Sequence, residues 1–278
     1  MKVAIQGEKA SYHHQASEKF FKNNLQIVPC GTFKETFLAV INDQSDFGVV
    51  AIENSLYGSI NDVYDLLLKF DVYINGETYL RINHQLIGLA NTTIDDISEI
   101  HTHRVAFAQC EEFLEAKLAH AERFEHHDTA GSVAYIKKLN DSSKAAIASK
   151  KAAKLHGLDI IAPNIETNPE NYTRFVLISK KPNYHEKTTK TSLVLTTKKD
   201  TKAGTLYQAL GVFSKRDINL TMLQSRPVVG RAWHYMFYID IEVSSKSPLF
   251  EEACDELTQL GYQTTLLGSY TTTKYALY

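Results

Sequence analysis

The chain has 278 residues, of which 44% are hydrophobic and 22% charged, with a net charge of -2. That length predicts two domains, the near-neutral charge gives no basic field to attract nucleic acid, and no apolar run is long enough to span a membrane. Cys30, Cys110 and Cys254 are odd in number and far apart, which argues against a disulfide frame or zinc knuckle; with strand-like KVAIQ directly after Met1 in place of a leader, the expected compartment is the reducing cytoplasm.

Residues 3–6 read as a strand, followed by a polar loop with Gly7 and a helix carrying Tyr12, Ala16, Phe20 and Phe21 at helical spacing. Thr32 and Glu35 form a capping box ahead of the stripe Phe33, Phe37, Val40 and Ile41. Residues 47–52 are nearly all apolar, the pattern of a strand covered on both faces. A strand at 86–90, a helix at 106–118, a strand at 145–148 and a helix at 150–156 with Gly157 as its cap continue the alternation. The first 180 residues therefore predict an α/β fold on a parallel sheet. Residues 180–190, Lys-rich and containing Pro182, read as a linker. Beyond it come strand 192–197, helix 206–216, strands 219–224 and 234–243, helix 249–260 and strand 262–267. That order is ferredoxin-like.

Ligands of open α/β sheets bind beyond the carboxyl ends of the strands. Glu53, Asn54 and Ser55 follow such a strand, and Ser59 with Asp62 caps the helix behind them; an anion at that helix start and an ordinary turn are both compatible with these residues. In HTHRVAFAQCEEFL, Thr102 precedes a helix with the stripe Phe107, Cys110, Leu114 and Leu118. Gln109 beside that stripe either completes a polar network or touches a ligand. In FEHHDTAGSVAYI, Asp128 or Thr129 caps a helix, and Gly131 permits close approach of backbone or ligand. GEKASYHH lacks the GxGxxG spacing, so no dinucleotide is expected. His13, His14, His101, His103, His126 and His127 form no metal-ligand pattern and read as surface residues, with no metal or cofactor implied. No nucleophile elbow is present either. NPENYTRFVLISKKP sets Thr173 and Arg174 at the mouth of a strand.

Together these stretches resemble the prephenate dehydratase family with a C-terminal ACT regulatory domain, over essentially the whole chain. NYTRF is similar to the family's Thr-Arg-Phe signature, AIENSLYGSIND to its Glu-Asn-Ser/Thr loop, THRVAFAQCEEFL to its Ser-His-Pro-x-x-x-x-Gln-Cys segment and DTAGSV to its Asp-Thr-Ala-Gly helix start. AGTLYQAL and INLTMLQSRP resemble the Gly-Ala-Leu and Asn-Leu-Thr-x-x-Glu-Ser-Arg-Pro motifs that bind phenylalanine in relatives. Ala10 replaces a usual glycine, Thr102 a serine, Arg104 a proline, and Gln224 the glutamate before Ser-Arg-Pro.

The resemblance implies a two-lobed, periplasmic-binding-protein-like catalytic domain over 1–183, with crossovers near 80 and 165, then a ferredoxin-like ACT domain over 190–278. It implies a cytoplasmic, cofactor-free and monofunctional lyase that turns prephenate into phenylpyruvate in phenylalanine biosynthesis, assembled as a homodimer or homotetramer. Thr173 would donate to the departing hydroxyl, Arg174 would clamp a carboxylate, Glu53 would orient Asn54 and its loop, and Gln109 would join them. Ser11, Ser55, Thr102 and Thr129 would supply further donors, with Ala130, Gly131 and Phe175 completing the pocket. L-phenylalanine would sit at Gly204, Thr205 and Leu206 through its carboxylate and at Asn219 through its amine, beside Leu220 and Gln224. Two other readings stay open: arogenate as substrate, and a non-catalytic sensor of small anions built on the same two lobes.

Overall fold

The computed structural model describes residues 1–21, 25–185, 187–197, 203–228 and 230–272. It divides into two units, one of Met1–Ile60 with Thr78–Phe175, the other of Asn61–Glu77 with Val176–Tyr278. Of the expected C-terminal domain, residues 198–202, 229 and 273–278 lie outside the described set, as does Glu186 of the expected linker.

The chain opens with β1 (Lys2–Gln6), α1 (Tyr12–Phe20), β2 (Gln26–Cys30), α2 (Phe33–Ile41), β3 (Phe47–Asn54) and the two-residue β4 (Gly58–Ser59). Then come α3 (Asn61–Lys69), β5 (Tyr73–Arg81), β6 (Gln85–Gly88), β7 (Glu99–Thr102), α4 (Arg104–Gln109), α5 (Glu111–Lys117) and β8 (Glu122–Glu125). After α6 (Thr129–Leu139), β9 (Lys144–Ala148), α7 (Lys150–His156) and β10 (Asp159–Ala162), the strand β11 (Tyr172–Ser179) ends the first half.

The first unit has two lobes, each built on its own sheet. One sheet runs β11-β3-β1-β2, with β1 parallel to both β2 and β3. The other runs β10-β6-β9-β7-β8. It is mixed rather than wholly parallel, because β6, the strand by which the chain enters this lobe, runs against both neighbours. Alternation along its strands covers both faces: Leu86, Ala145 and Ile147 pack with Phe107 and Leu114 on one side, while Ile87, Ala146 and Ala148 pack with Val133 and Ile136 on the other. Each fully buried Leu or Ile contributes about 1.5–3 kcal/mol. The small alanines of β9 let α6 and α7 approach that second face closely.

The expected single helix over 106–118 is two. Cys110 leaves helical geometry at φ -115 and ψ 14. Its break is stabilised from outside, since the Gln109 carbonyl accepts Thr167 N–H at 2.8 Å instead of serving the helix.

The second unit holds β12 (Lys190–Thr197), α8 (Thr205–Ser214), β13 (Leu220–Pro227), β14 (Tyr235–Ile241), α9 (Pro248–Gln259) and β15 (Tyr262–Tyr270). Their antiparallel order β13-β14-β12-β15 is ferredoxin-like. The strand β5 adds to β15 through Ile74 and Gly268. A Cβ on Gly268 would lie 2.1 Å from the Ile74 carbonyl oxygen, so only glycine fits there. Leu193, Leu195, Ile239 and Ile241 face α8 and α9, where they pack against Val212, Phe213 and Leu257. The alternate residues carry polar groups: Lys190 Nζ is 2.9 Å from Glu77 Oε2 and 3.7 Å from Asp240 Oδ2, all three side chains being nearly inaccessible.

Candidate active site

The two lobes of the first unit enclose a cavity of about 240 Å³. From one lobe Ser11, Tyr12 and His13 of the α1 start, Ala51 and Asn54 of β3, and Thr173 and Phe175 of β11 reach it; from the other, His103, Val105, Ala106 and Gln109 at α4, and His127, Asp128 and Thr129 at α6. Of the expected site residues, Ser11, Asn54, Gln109, Thr129, Thr173 and Phe175 therefore meet around one space.

Thr173 is held by Asn54, and the amide is itself fixed. Asn54 Oδ1 accepts the N–H groups of Leu56 and Tyr57, both at 3.0 Å, which turns the β3–β4 loop and leaves Nδ2 only the role of donor. That nitrogen donates to Asn171 Oδ1 at 2.8 Å, the Tyr172 carbonyl at 3.1 Å and Thr173 Oγ1 at 3.0 Å. Because Thr173 Oγ1 accepts, its own hydrogen stays available to the cavity. Glu53, expected to orient Asn54, does not do so; backbone N–H groups and Asn171 do.

Arg174 is the larger correction. Successive strand side chains point to opposite faces, so with Thr173 and Phe175 at the cavity, Arg174 lies behind them. It is 4% exposed, with Nη1 3.8 Å from Glu53 Oε2. The expected carboxylate clamp is thus not at the cavity wall. Nor is Ser55, whose hydroxyl donates to the Glu170 carbonyl and accepts Tyr172 N–H, tying the loop to β11. Thr102 is fully buried and donates to the Ile147 carbonyl at 2.6 Å. Ala130 and Gly131 also stand back: Asp128 Oδ1 accepts Gly131 N–H at 2.7 Å, and a Cβ at residue 131 would come within 3.2 Å of Asp128 Oδ2. That glycine makes room for the helix cap rather than for a ligand.

Histidines supply what the sequence reading missed. His84 is 1% exposed, its Nε2 lies 2.7 Å from Gln109 Oε1 and its Nδ1 3.1 Å from the Tyr12 hydroxyl, which donates to the Asn83 carbonyl. Gln109 thereby completes a polar network and lines the cavity at once. Burial lowers the His84 pKa to about 4 and that of His13 to about 3. His103 is also lowered by burial, and its Nδ1 accepts Val105 N–H at 3.3 Å. The expectation of surface histidines fails for His13 and for His101, which is 3% exposed and 3.0 Å from His126. His84 stands alone in RINHQLIG with no spacing to mark it, and Tyr12 was absorbed into a helical stripe.

No Lys or Arg is among the described residues that line the cavity, and Asp128 is the one carboxylate there. Positive potential comes from the helix starts at Ser11 and Asp128, each capped by its own side chain. Among the described residues no group of three or more His, Cys, Asp or Glu side chains is arranged to hold a metal ion.

In the second unit Gly204 caps α8 with φ +83 and no side-chain cap bond, placing Thr205 and Leu206 in the first turn. Asn219 Nδ2 donates to Glu242 Oε2 at 2.8 Å, and Gln224 Nε2 donates to the Ser225 carbonyl at 3.0 Å. On alternating β13, Leu220 and Gln224 are both partly covered and share a face.

Residues 3–183 match the model of the family described as prephenate dehydratase. A bifunctional chorismate mutase/prephenate dehydratase of Aquifex aeolicus is 36% identical over 270 residues, which cover 97% of this chain and 73% of that protein. An arogenate dehydratase/prephenate dehydratase 2 of Arabidopsis thaliana is 37% identical over 281 residues, 97% of this chain and 72% of the relative. Among solved structures, prephenate dehydratase of Arthrobacter aurescens in complex with L-Phe superposes with a TM-score of 0.87 at 26% identity, covering 98% of this chain and 90% of that one. A protein described as a novel type of quorum quenching acylase superposes with a TM-score of 0.87 at 30% identity, over 98% of each chain.

Proposed function

We propose that this chain, which belongs to the prephenate dehydratase family, converts prephenate to phenylpyruvate by loss of carbon dioxide and the ring hydroxyl. The observation that carries this reading is the Thr173 hydroxyl, fixed as an acceptor by Asn54 and left free to donate into the cavity. As the bond from the ring to its carboxylate breaks, the electron pair enters the ring and the carbon–oxygen bond opposite breaks. The oxygen leaves with the pair of its own carbon–oxygen bond and takes a proton from Thr173, which water replaces. A threonine hydroxyl is a weak acid, so proton transfer belongs late in bond breaking, when the leaving oxygen has become basic. Aromatisation supplies the driving force, and the protein supplies orientation.

The cation-free lining suits that chemistry. One carboxylate must lose its charge in the transition state, and a full positive charge beside it would stabilise the ground state more. Helix starts and neutral donors hold the anion with less bias. Mixing purified protein with prephenate and following phenylpyruvate absorbance tests the proposal; tight binding without turnover would favour the sensor. Acyl transfer is disfavoured because no described side chain stands as a base on Thr173 Oγ1. Arogenate retains one supporting observation: the Asp128 carboxylate at the cavity could receive its ammonium group. Comparing kcat/KM for the two substrates separates them.

For the second unit the proposal is an ACT domain that binds L-phenylalanine and inhibits, in a cytoplasmic homo-oligomer. It is supported by the ferredoxin-like order, by the Gly204 turn that opens the first N–H groups of α8, and by an L-Phe-bound relative. If inhibition acts through substrate affinity, coupling of about 1–3 kcal/mol is expected, and it must be reciprocal. Calorimetry of the intact chain with L-phenylalanine reads it directly.

A further inference from the structure

His13 stands in the first turn of α1, and its ring is oriented by two independent contacts. Nε2 accepts the Ala51 N–H at 3.2 Å. A ring nitrogen that accepts cannot also carry hydrogen, so in the uncharged imidazole the hydrogen is on Nδ1. Among the described residues none forms a hydrogen bond to Nδ1, and His13 lines the cavity.

The ring sits edge-on against Phe175, with centroids 5.1 Å apart at 86°, and tilted against Phe33 at 5.7 Å. Neither neighbour, nor Ala51, offers a carboxylate that would hold a second proton on the ring. Burial alone sets its low pKa of about 3. Phe175 lies two residues along β11 from Thr173 on the same face, a separation of about 6.6 Å. In prephenate the hydroxyl and the carbon bearing both acid-containing groups occupy opposite ends of a six-membered ring. A substrate with its hydroxyl at Thr173 therefore turns its acid end toward other lining residues, among which His13, packed on Phe175, offers a donor.

We propose that His13 is a further substrate-binding residue of this cavity, its imidazole presenting the Nδ1 hydrogen to a carboxylate at the acid end of prephenate. This rests on the dehydratase reading above. An N–H donor orients that carboxylate without placing a full positive charge on it.

Two measurements test the assignment. In nitrogen NMR of the free wild-type chain, His13 should show the Nδ1–H tautomer and no titration between about pH 5 and 8; an Nε2–H tautomer or a titration in that range overturns it, whatever the substrate. In kinetics, His13→Phe keeps an aromatic ring but removes the donor, and should raise KM about tenfold with kcat changed less than about threefold. His13→Asn, whose amide nitrogen overlays Nδ1, should recover most of the loss. An unchanged KM in His13→Phe overturns the proposal, provided that wild type turns over prephenate; failure of wild type to do so overturns the dehydratase reading and this assignment with it, while leaving the NMR result intact.

Discussion

The buried ion cluster of the second unit and the cavity of the first treat charge in opposite ways. In the second unit Lys190, Glu77 and Asp240 are at most 3% exposed and lie within 3.7 Å of one another through the lysine. In the first unit the cavity has Thr173, Asn54, Gln109, His13 and His84 in its lining and, among the described residues, no Lys or Arg. Buried ions satisfied by fixed partners define one packing and are costly to separate. A cavity that must admit an anion, and then watch part of its charge leave, works better with donors that carry none. Ion pairs mark where this protein stays as it is, and neutral donors mark where chemistry passes through.

Removing the Thr173 hydroxyl should have the largest effect. Thr173→Ala is expected to lower kcat by about two to four decades with little change in KM. Near-normal turnover would break the contrast by taking the cavity's central donor out of the reaction. Lys190→Met tests the other side, removing the ammonium group that lies 2.9 Å from Glu77 and 3.7 Å from Asp240. A loss of about 3–5 kcal/mol is expected in denaturant unfolding of the intact chain, and a harmless substitution would show that the ions are not a fixed set.

Acid should sharpen the contrast. His84 and His13 stay uncharged in the folded chain down to about pH 4 and about 3, whereas in the unfolded chain the imidazoles charge near 6.5. Between those values the unfolded chain binds more protons, so stability is full above about 6.5 and falls as pH drops toward 4. His84→Gln should make that acid-side fall shallower, read as denaturant midpoints at two pH values. A smaller effect is expected of Arg174→Lys. With the guanidinium behind β11, KM should stay within about twofold of wild type, and a large rise would return Arg174 to the substrate.

Much of this was legible in the sequence where local chemistry decides the outcome. The Thr32 cap on Glu35 N–H, with the Glu35 carboxylate reaching back to Gly31 N–H instead of closing the expected box on Thr32, the Gly157 cap at φ 62 and the ferredoxin-like order follow from short-range pattern. The Thr-Arg-Phe stretch pointed to the right strand, but which side chain of it reaches the cavity depends on which strand face the second lobe covers, and pairing across more than a hundred residues sets that. His84 acquires its partners Tyr12 and Gln109 only in the folded chain. Ala10 shows the reverse case: the sequence marked it as an alanine in place of a usual glycine, and the backbone there has φ 69, the left-handed region in which glycine is at ease.

The cation-free lining has one more consequence, for how the substrate arrives. With no Lys or Arg among the described residues that line the cavity, and a net charge of -2 on the chain, weak long-range attraction of a dianion is expected. Encounter should proceed by unguided diffusion, with kcat/KM changing less than about threefold as salt rises from roughly 0.05 to 0.5 M. The cell's ionic strength would then be no lever on this flux, which leaves its control to substrate supply and to the second unit.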